Sequence, residues 1–305
     1  MKILILAGGA GNRLWPLTDP PKQFRSFGKA HSLLQQTLFR FLKRYSPHDL
    51  HVITSKVHAD LAQTQCNEIH PALLENLIIE PKSRNTAPAI AYALKILGDE
   101  ACERVLVAPS DHYISPEDLF LDRLAYAESH LPKGVHGLFG VTPTFPHMGY
   151  GYISPQSQSL FSKVSSFYEK PEKDHAERLI HQGALWNTGM FLFHTKTLLK
   201  ELPEEIPSIS IDHLLLERIK NLFVTHLDLA WSDLGSWEGI YEASSKDRNG
   251  NVIFGNVQTS GVKNCLVIGK NKPQLLSNHQ DSVVVCSEAG ESMVMPLCAE
   301  VPSLL

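Results

Sequence analysis

The chain has 305 residues, with 28 Lys and Arg against 32 Asp and Glu, and a formal net charge of −4 at pH 7. That length suits one large α/β domain, or one domain with a small appendage. The slight acidity excludes partners held by bulk positive charge, so neither nucleic acid nor a membrane surface is expected, whereas a phosphorylated small molecule needs only a few local cations.

The five cysteines, Cys66, Cys102, Cys265, Cys286 and Cys298, are odd in number and form no C-x-x-C pair. They read as reduced thiols of a cytoplasmic protein, not as a disulfide frame or a zinc site. The histidines show no H-E-x-x-H spacing. The apolar run after Met1-Lys2 is too short for a signal peptide, and no stretch approaches the ~20 apolar residues of a membrane helix.

In chain order, Ile3 to Ala7 is an uninterrupted apolar run that predicts a strand buried on both faces. Helix-like spacing follows from Thr37 to Arg44. Strands are predicted at His51–Thr54, Leu77–Glu80 and Val105–Ala108, with helices at Val57–Glu68 and Thr86–Leu97 between them. Thr86 is placed to cap the second of these, with Pro88 in its first turn. Such alternation predicts a doubly wound α/β sheet, whose ligand lies beyond the carboxyl ends of the strands. The unusual residues fall at those ends, in GGAGNR, EPKSRNTAP and PSDH.

From Gly134 to Phe193 the pattern is richer in strands, with a helix over Glu177–Gln182; Leu198–Leu202 and Ile211–Ile219 read as helical. Near Lys246 the character changes to short apolar runs broken by Gly and Asn, NVIFGNV, NCLVIG, SVVVC and SMVMP. These predict residues 1–245 as the main domain and 246–305 as a small all-β appendage, with a faint hexapeptide β-helix rhythm.

Gly8, Gly9 and Gly11 allow close backbone approach to a ligand and positive φ. The loop lacks the lysine of a Walker A motif and the third glycine of a dinucleotide fingerprint. Alone it reads as a glycine turn, but Arg13 and Lys22 add donors suited to phosphate oxygens. Glu80 ends a strand. It is either a capping carboxylate or an acceptor for the N1–H and 2-amino hydrogens of guanine. Arg84 and Asn85 are suited to holding the loop or a phosphate. Asp111 in PSDH is either a helix cap or a Mg²⁺ ligand, with Asp233 in WSDLGSW as the natural second carboxylate. Glu169-Lys170-Pro171 is either a solvated pair or a clamp for a sugar phosphate. Asn187 beside Gly189, and Gly151 between two tyrosines, permit close approach to a polar ligand as readily as an ordinary turn or strand.

LAGGAGNRLWPLT, PKQF, EPKSRNTAPAIA, PSDH, GYGYI, FYEKP, WNTGMF and DLAWSDLGSW occur in this order from residue 1 to about 260. The set resembles the mannose-1-phosphate guanylyltransferases, also called GDP-mannose pyrophosphorylases. SIDHLLLER resembles the family's SIDYAVMEK with several substitutions.

The resemblance implies a Rossmann-like nucleotidyltransferase domain with a mixed central sheet. A short left-handed β-helix that often helps dimerise the protein would follow, so a homodimer is expected. It implies GTP and mannose 1-phosphate as substrates and Mg²⁺ as cofactor. Leu6, Gly8, Gly9, Gly11, Glu80, Arg84 and Asn85 would bind the nucleotide. Arg13, Lys22 and Asp111 would be catalytic, and Asp111 and Asp233 would hold the metal. Gly151, Glu169, Lys170 and Asn187 would bind the sugar phosphate. The family's cupin-type isomerase domain has no counterpart in the sequence, so no isomerase activity is expected.

Two other readings stand beside this one. The chain is a nucleotidyltransferase for another sugar 1-phosphate, since one hydroxyl orientation separates such substrates, or a non-catalytic paralogue that binds a sugar nucleotide. A glycosyltransferase is disfavoured, because no D-x-D motif stands at the strand end that carries Asp111.

Overall fold

Ile3, Leu4 and Ile5 are fully buried in the first strand, β1 (Lys2–Leu6), which has parallel neighbours on both sides. A strand covered on both faces has no polar face, and its sequence has none. The computed structural model describes residues 1–9, 12–98, 103–216, 218–219, 221–270, 274–287 and 290–298. They form two units interleaved along the chain. The first is Met1–Gly9, Thr37–Ser110 and Ile114–Trp231; the second is Ala10–Gln36, Asp111–Tyr113 and Ser232–Leu305.

The first unit holds a nine-stranded mixed sheet. Its strands are β1, β2 (Leu50–Ser55), β3 (Leu77–Glu80), β4 (Arg104–Pro109), β6 (His136–Val141), β7 (Tyr152–Pro155), β8 (Phe161–Tyr168), β9 (Leu185–His194) and β10 (Leu222–His226). A short strand, β5 (Tyr113–Ser115), precedes β6 in the chain. The spatial order is β3-β2-β1-β4-β9-β6-β10-β8-β7. The half from β3 to β4 is parallel, and β9 enters antiparallel between β4 and β6.

The helices are α1 (Leu33–Leu42), α2 (Ala59–Ile69), α3 (Ala72–Glu75), α4 (Thr86–Leu97), α5 (Glu117–His130), α6 (Lys173–His181), α7 (Thr195–Glu201) and α8 (Trp237–Glu242). The cap of α4 is Asn85, not Thr86. Asn85 takes φ 78° and its side chain accepts the Thr86 N–H at 2.8 Å. Gly98, at φ 77°, ends the helix.

The helix expected over Ile211–Ile219 is reduced to one π-helical turn, Asp212–Leu216. Its start is tied to other elements. The Ile211 N–H donates to Thr86 Oγ1 at 2.9 Å, and Asp212 Oδ1 accepts from Asn187 at 2.8 Å. Tertiary bonds therefore fix these residues before a regular helix can propagate.

In the second unit, β12 (Val252–Phe254), β14 (Leu266–Ile268) and β16 (Ser282–Cys286) stack in parallel, Val252 on Leu266 on Val283. On another face β13 (Val257–Ser260) pairs in parallel with β15 (Gln274–Ser277), and β17 (Ser292–Pro296) closes β16 antiparallel. Two faces of stacked parallel strands are the pattern of a β-coil. Its core residues Val252, Leu266, Ile268, Val283 and Val285 pack in one cluster with Leu14, Leu17, Leu33, Leu234 and Trp237.

Candidate active site

The first unit carries two polar sets and the second unit a third. In the first unit, β3 delivers Glu80 at its carboxyl end, 5% exposed. A Cβ on Gly8 would lie 2.8 Å from Glu80 Oε1. A side chain at position 8 would crowd that carboxylate and make its end shift. The expected positive φ is absent at both Gly8 and Gly9; the need is for space, not for a left-handed turn. Burial pushes the Glu80 carboxyl up from its ordinary range, and a bond from Ser83 opposes this. A charge short of solvent in this way is a strong acceptor for paired N–H donors.

Leu6 closes β1; its carbonyl accepts the Ser110 N–H at 3.1 Å and its side chain packs on the core. Arg84 donates to the Ile206 carbonyl at 2.8 Å and, with Asn85, shapes the loop that opens α4. Gly9 is exposed, and a Cβ there would meet open space. Gly11 lies outside the described residues.

The same unit gathers a second set. Glu169, its side chain 8% exposed, meets Lys170 Nζ at 3.1 Å. A Cβ on Gly151 would come within 2.8 Å of Glu169 Oε2 and 2.9 Å of Phe167 Cζ. The Asn187 N–H donates to the Gly151 carbonyl at 2.7 Å. The Asn187 side chain is held at both ends: Oδ1 accepts the Gly189 N–H at 3.2 Å, and Nδ2 donates to Asp212 Oδ1 at 2.8 Å. Gly151, Glu169, Lys170 and Asn187, far apart in sequence, therefore share one place.

Asp212 completes this set and was not among the expected site residues. Its carboxyl is pushed up to about 6, first by burial and then by the charge of Glu169; Asn187 and Lys170 partly offset this. The sequence offered only an acid opening an apolar run in SIDHLLLER, which by itself carries no site signal. Two carboxylates side by side suit a ligand with several hydroxyl donors. On the expectation that this set takes a sugar phosphate, Gly151→Ala should raise KM for it roughly tenfold or more by displacing Glu169, with KM for a nucleotide unchanged; steady-state kinetics with each substrate varied would check it.

The second unit carries the cations. The 3₁₀ turn Lys22–Phe24 buries Lys22 to 6% exposure. Lys22 Nζ lies 2.9 Å from Asp111 Oδ2 and also donates to the Asp233 backbone carbonyl. Arg13 reaches Asp233 Oδ2 at 3.5 Å, and the Gly235 N–H donates to Asp233 Oδ1 at 2.9 Å. His112 Nε2 is 3.9 Å from Asp111. Burial opposes the charge on Asp233, but Lys22, His112, Arg13 and the Gly235 amide outweigh it and hold the carboxyl below its ordinary value. Arg13, Lys22, Asp111 and Asp233 thus form one cluster.

No group of three or more His, Cys, Asp and Glu suited to a metal occurs among the described residues. The two carboxylates Asp111 and Asp233 nevertheless fit Mg²⁺, a hard ion that is bound through one or two carboxylates and otherwise by water and phosphate oxygens. They do not suit a metal that needs an all-protein cage.

A model of the family described as nucleotidyl transferase matches residues 2–250. The chain belongs to the nucleotidyl transferase family. A mannose-1-phosphate guanylyltransferase of Klebsiella pneumoniae is 34% identical, over 93% of this chain and 69% of its own length. The alginate biosynthesis protein AlgA of Pseudomonas aeruginosa is 33% identical, over 92% of this chain and 66% of its own. The chain therefore spans about two thirds of the length of these relatives.

Among solved structures, a Thermus thermophilus protein described as mannose-1-phosphate geranyltransferase matches with a TM-score of 0.85 at 27% identity. The match covers 97% of this chain and 95% of that one. These likenesses bear out both the expected mannose-1-phosphate guanylyltransferase resemblance and the fold read from the strand–helix alternation. No helix among the described residues is long and apolar enough to cross a membrane.

Proposed function

We propose that the chain joins GTP and mannose 1-phosphate to give GDP-mannose and pyrophosphate. The observation that carries this reading is Lys22, buried and bonded to the Asp111 carboxylate and the Asp233 backbone carbonyl, with Arg13 on the Asp233 carboxylate. Such a cluster handles polyphosphate, and the relatives named above support guanylyl transfer to mannose 1-phosphate.

In this reading a phosphate oxygen of the sugar attacks the α-phosphorus of GTP in line, and pyrophosphate leaves with the bonding pair. The nucleophile is already an anion, so no general base is required. The work is alignment of two polyanions and relief of their repulsion. Arg13 and Lys22 neutralise the triphosphate. Asp111 and Asp233 would hold Mg²⁺, which supplies further charge neutralisation when bound. Lys170 holds the attacking phosphate, Glu169 and Asp212 accept sugar hydroxyls, and the backbone at Gly8 and Gly9 lies along the nucleotide. Unpaired Cys66, Cys265, Cys286 and Cys298, with a nucleoside triphosphate as substrate, support a cytoplasmic setting. Exposed Leu275 and Val294 on β15 and β17 support the homodimer of the same reading.

Pyrophosphate release over a panel of nucleoside triphosphates and sugar 1-phosphates tests the assignment. Turnover is expected with GTP and mannose 1-phosphate together; turnover with another pair, or binding without release, overturns it. Glu80→Gln is expected to erode the preference for GTP over ATP by roughly 10- to 100-fold, because the amide presents a donor where the carboxylate accepted. An unchanged ratio of kcat/KM for the two nucleotides would remove Glu80 as the base reader.

A further inference from the structure

The C-terminal strands lie in the same unit, and the same apolar core, as the charged cluster. Three of the four charges, Arg13, Asp111 and Asp233, stand within two residues of a member of that core. Leu14, 1% exposed, follows Arg13; Leu234, 5% exposed, follows Asp233; and Tyr113, packed on the core, lies two residues past Asp111. The other wall of the core is Val252, Leu266, Ile268, Val283 and Val285 from β12, β14 and β16.

Leu234 also holds φ 49°, a backbone conformation unusual for a branched side chain. Its N–H donates to Ser232 Oγ at 3.0 Å. Such a residue keeps its conformation only where the surroundings over-determine it. The surroundings here are the β-coil core, and the outcome is an Asp233 turned toward Lys22 and Arg13. Gly28, at φ 73°, adds a second tie, because the Phe254 ring of β12 occupies the place a Cβ would need.

We propose that the C-terminal β-coil is a positioning element for the charges that meet the triphosphate. Leu14 and Leu234 are its points of transmission, and Val283, Leu266 and Ile268 are positioning residues. This rests on the reading that Arg13, Lys22, Asp111 and Asp233 act on GTP.

The test takes the full chain with Val283→Ala, and with Ile268→Val as a milder change at the same core. Leu192→Ala, in the sheet of the other unit, serves as the control. Amide hydrogen exchange is expected to quicken in segments 12–24 and 232–237 as well as in 250–298, and to stay unchanged in 77–97. Below the melting temperature kcat is expected to fall roughly 10- to 100-fold for Val283→Ala, less for Ile268→Val, with KM for mannose 1-phosphate within about twofold. Leu192→Ala should leave exchange in 12–24 and 232–237 unchanged. Exchange that quickens only in 250–298 with kcat intact, or equally throughout the chain, overturns the proposal. If Val283→Ala does not fold, Ile268→Val decides. If the unaltered protein does not turn over GTP, the functional reading fails, while the exchange pattern still decides whether the coil positions the charges.

Discussion

Lys22→Met is expected to lower kcat by roughly 1,000-fold while KM for either substrate moves far less. Methionine keeps an unbranched apolar stem in the buried turn Lys22–Phe24, so the change removes the charge and little packing. What disappears is a cation bonded to Asp111 at 2.9 Å and to the Asp233 carbonyl. Asp111 and Asp233 then keep only weaker compensation, from His112, the Gly235 amide and an Arg13 whose side chain is 74% exposed. An exposed guanidinium is screened by water and holds its partner weakly. The variant should also lose on the order of 3 kcal/mol of stability, the cost of breaking an ion pair that is largely out of solvent. Steady-state kinetics and thermal unfolding at pH 7 measure the two effects separately. A variant within about tenfold of the parent kcat would show that Lys22 is structural, not part of the phosphate machinery.

The parallel half of the sheet was legible because burial on both faces leaves a one-signal pattern. Ile3–Ile5, Val52–Ile53 and Val105–Val107 are apolar without a break, and each is a strand. Helix α5 was not among the predicted elements. Its buried residues are Phe120, Leu121, Leu124 and Ala127, but Leu119, Ala125 and Tyr126 lie partly exposed on other faces, so the contrast between faces is low.

Gly8 and Gly151 were readable as positions of close approach, and in the fold the groups that come close are the carboxylates of Glu80 and Glu169. Asp212 was not legible, since an acid opening an apolar run reads as a helix cap. Only the fold reveals that its partner is Asn187 on β9. The interleaving of the second unit was hidden for the same reason. Leu14 and Val283 share a core, and nothing local in either segment records it.

Asp212→Asn is expected to make the protein more stable at pH 8 and a much poorer user of mannose 1-phosphate. The Asp212 carboxyl is raised to about 6 by burial and by Glu169, with Lys170 and the Asn187 amide insufficient to offset them. His213, next along the chain, has its Nδ1 3.0 Å from Ser210 Oγ. A raised acid favours the neutral form in the folded state. Its contribution to stability is therefore complete below the unfolded value near 3.8 and is lost as pH rises through about 6. A rise from 3.8 to about 6 corresponds to about 3 kcal/mol, so wild-type stability should fall by up to this amount between pH 4 and pH 7.

Asparagine cannot ionise, and its Oδ1 still accepts from Asn187 Nδ2. The variant should consequently match the parent near pH 4 and exceed it at pH 8, as thermal unfolding at the two pH values would show. Activity should move the other way. A sugar hydroxyl donates best to the ionised carboxylate, so KM for mannose 1-phosphate should rise roughly tenfold or more in the variant, and in the parent as pH drops below about 6, with KM for GTP unchanged. A parent melting temperature flat from pH 4 to 8, or an unaltered KM in Asp212→Asn, would defeat the argument. The charge that burial makes costly in the fold is the one a polyhydroxylated ligand would solvate, which is why a site should keep it at the expense of stability.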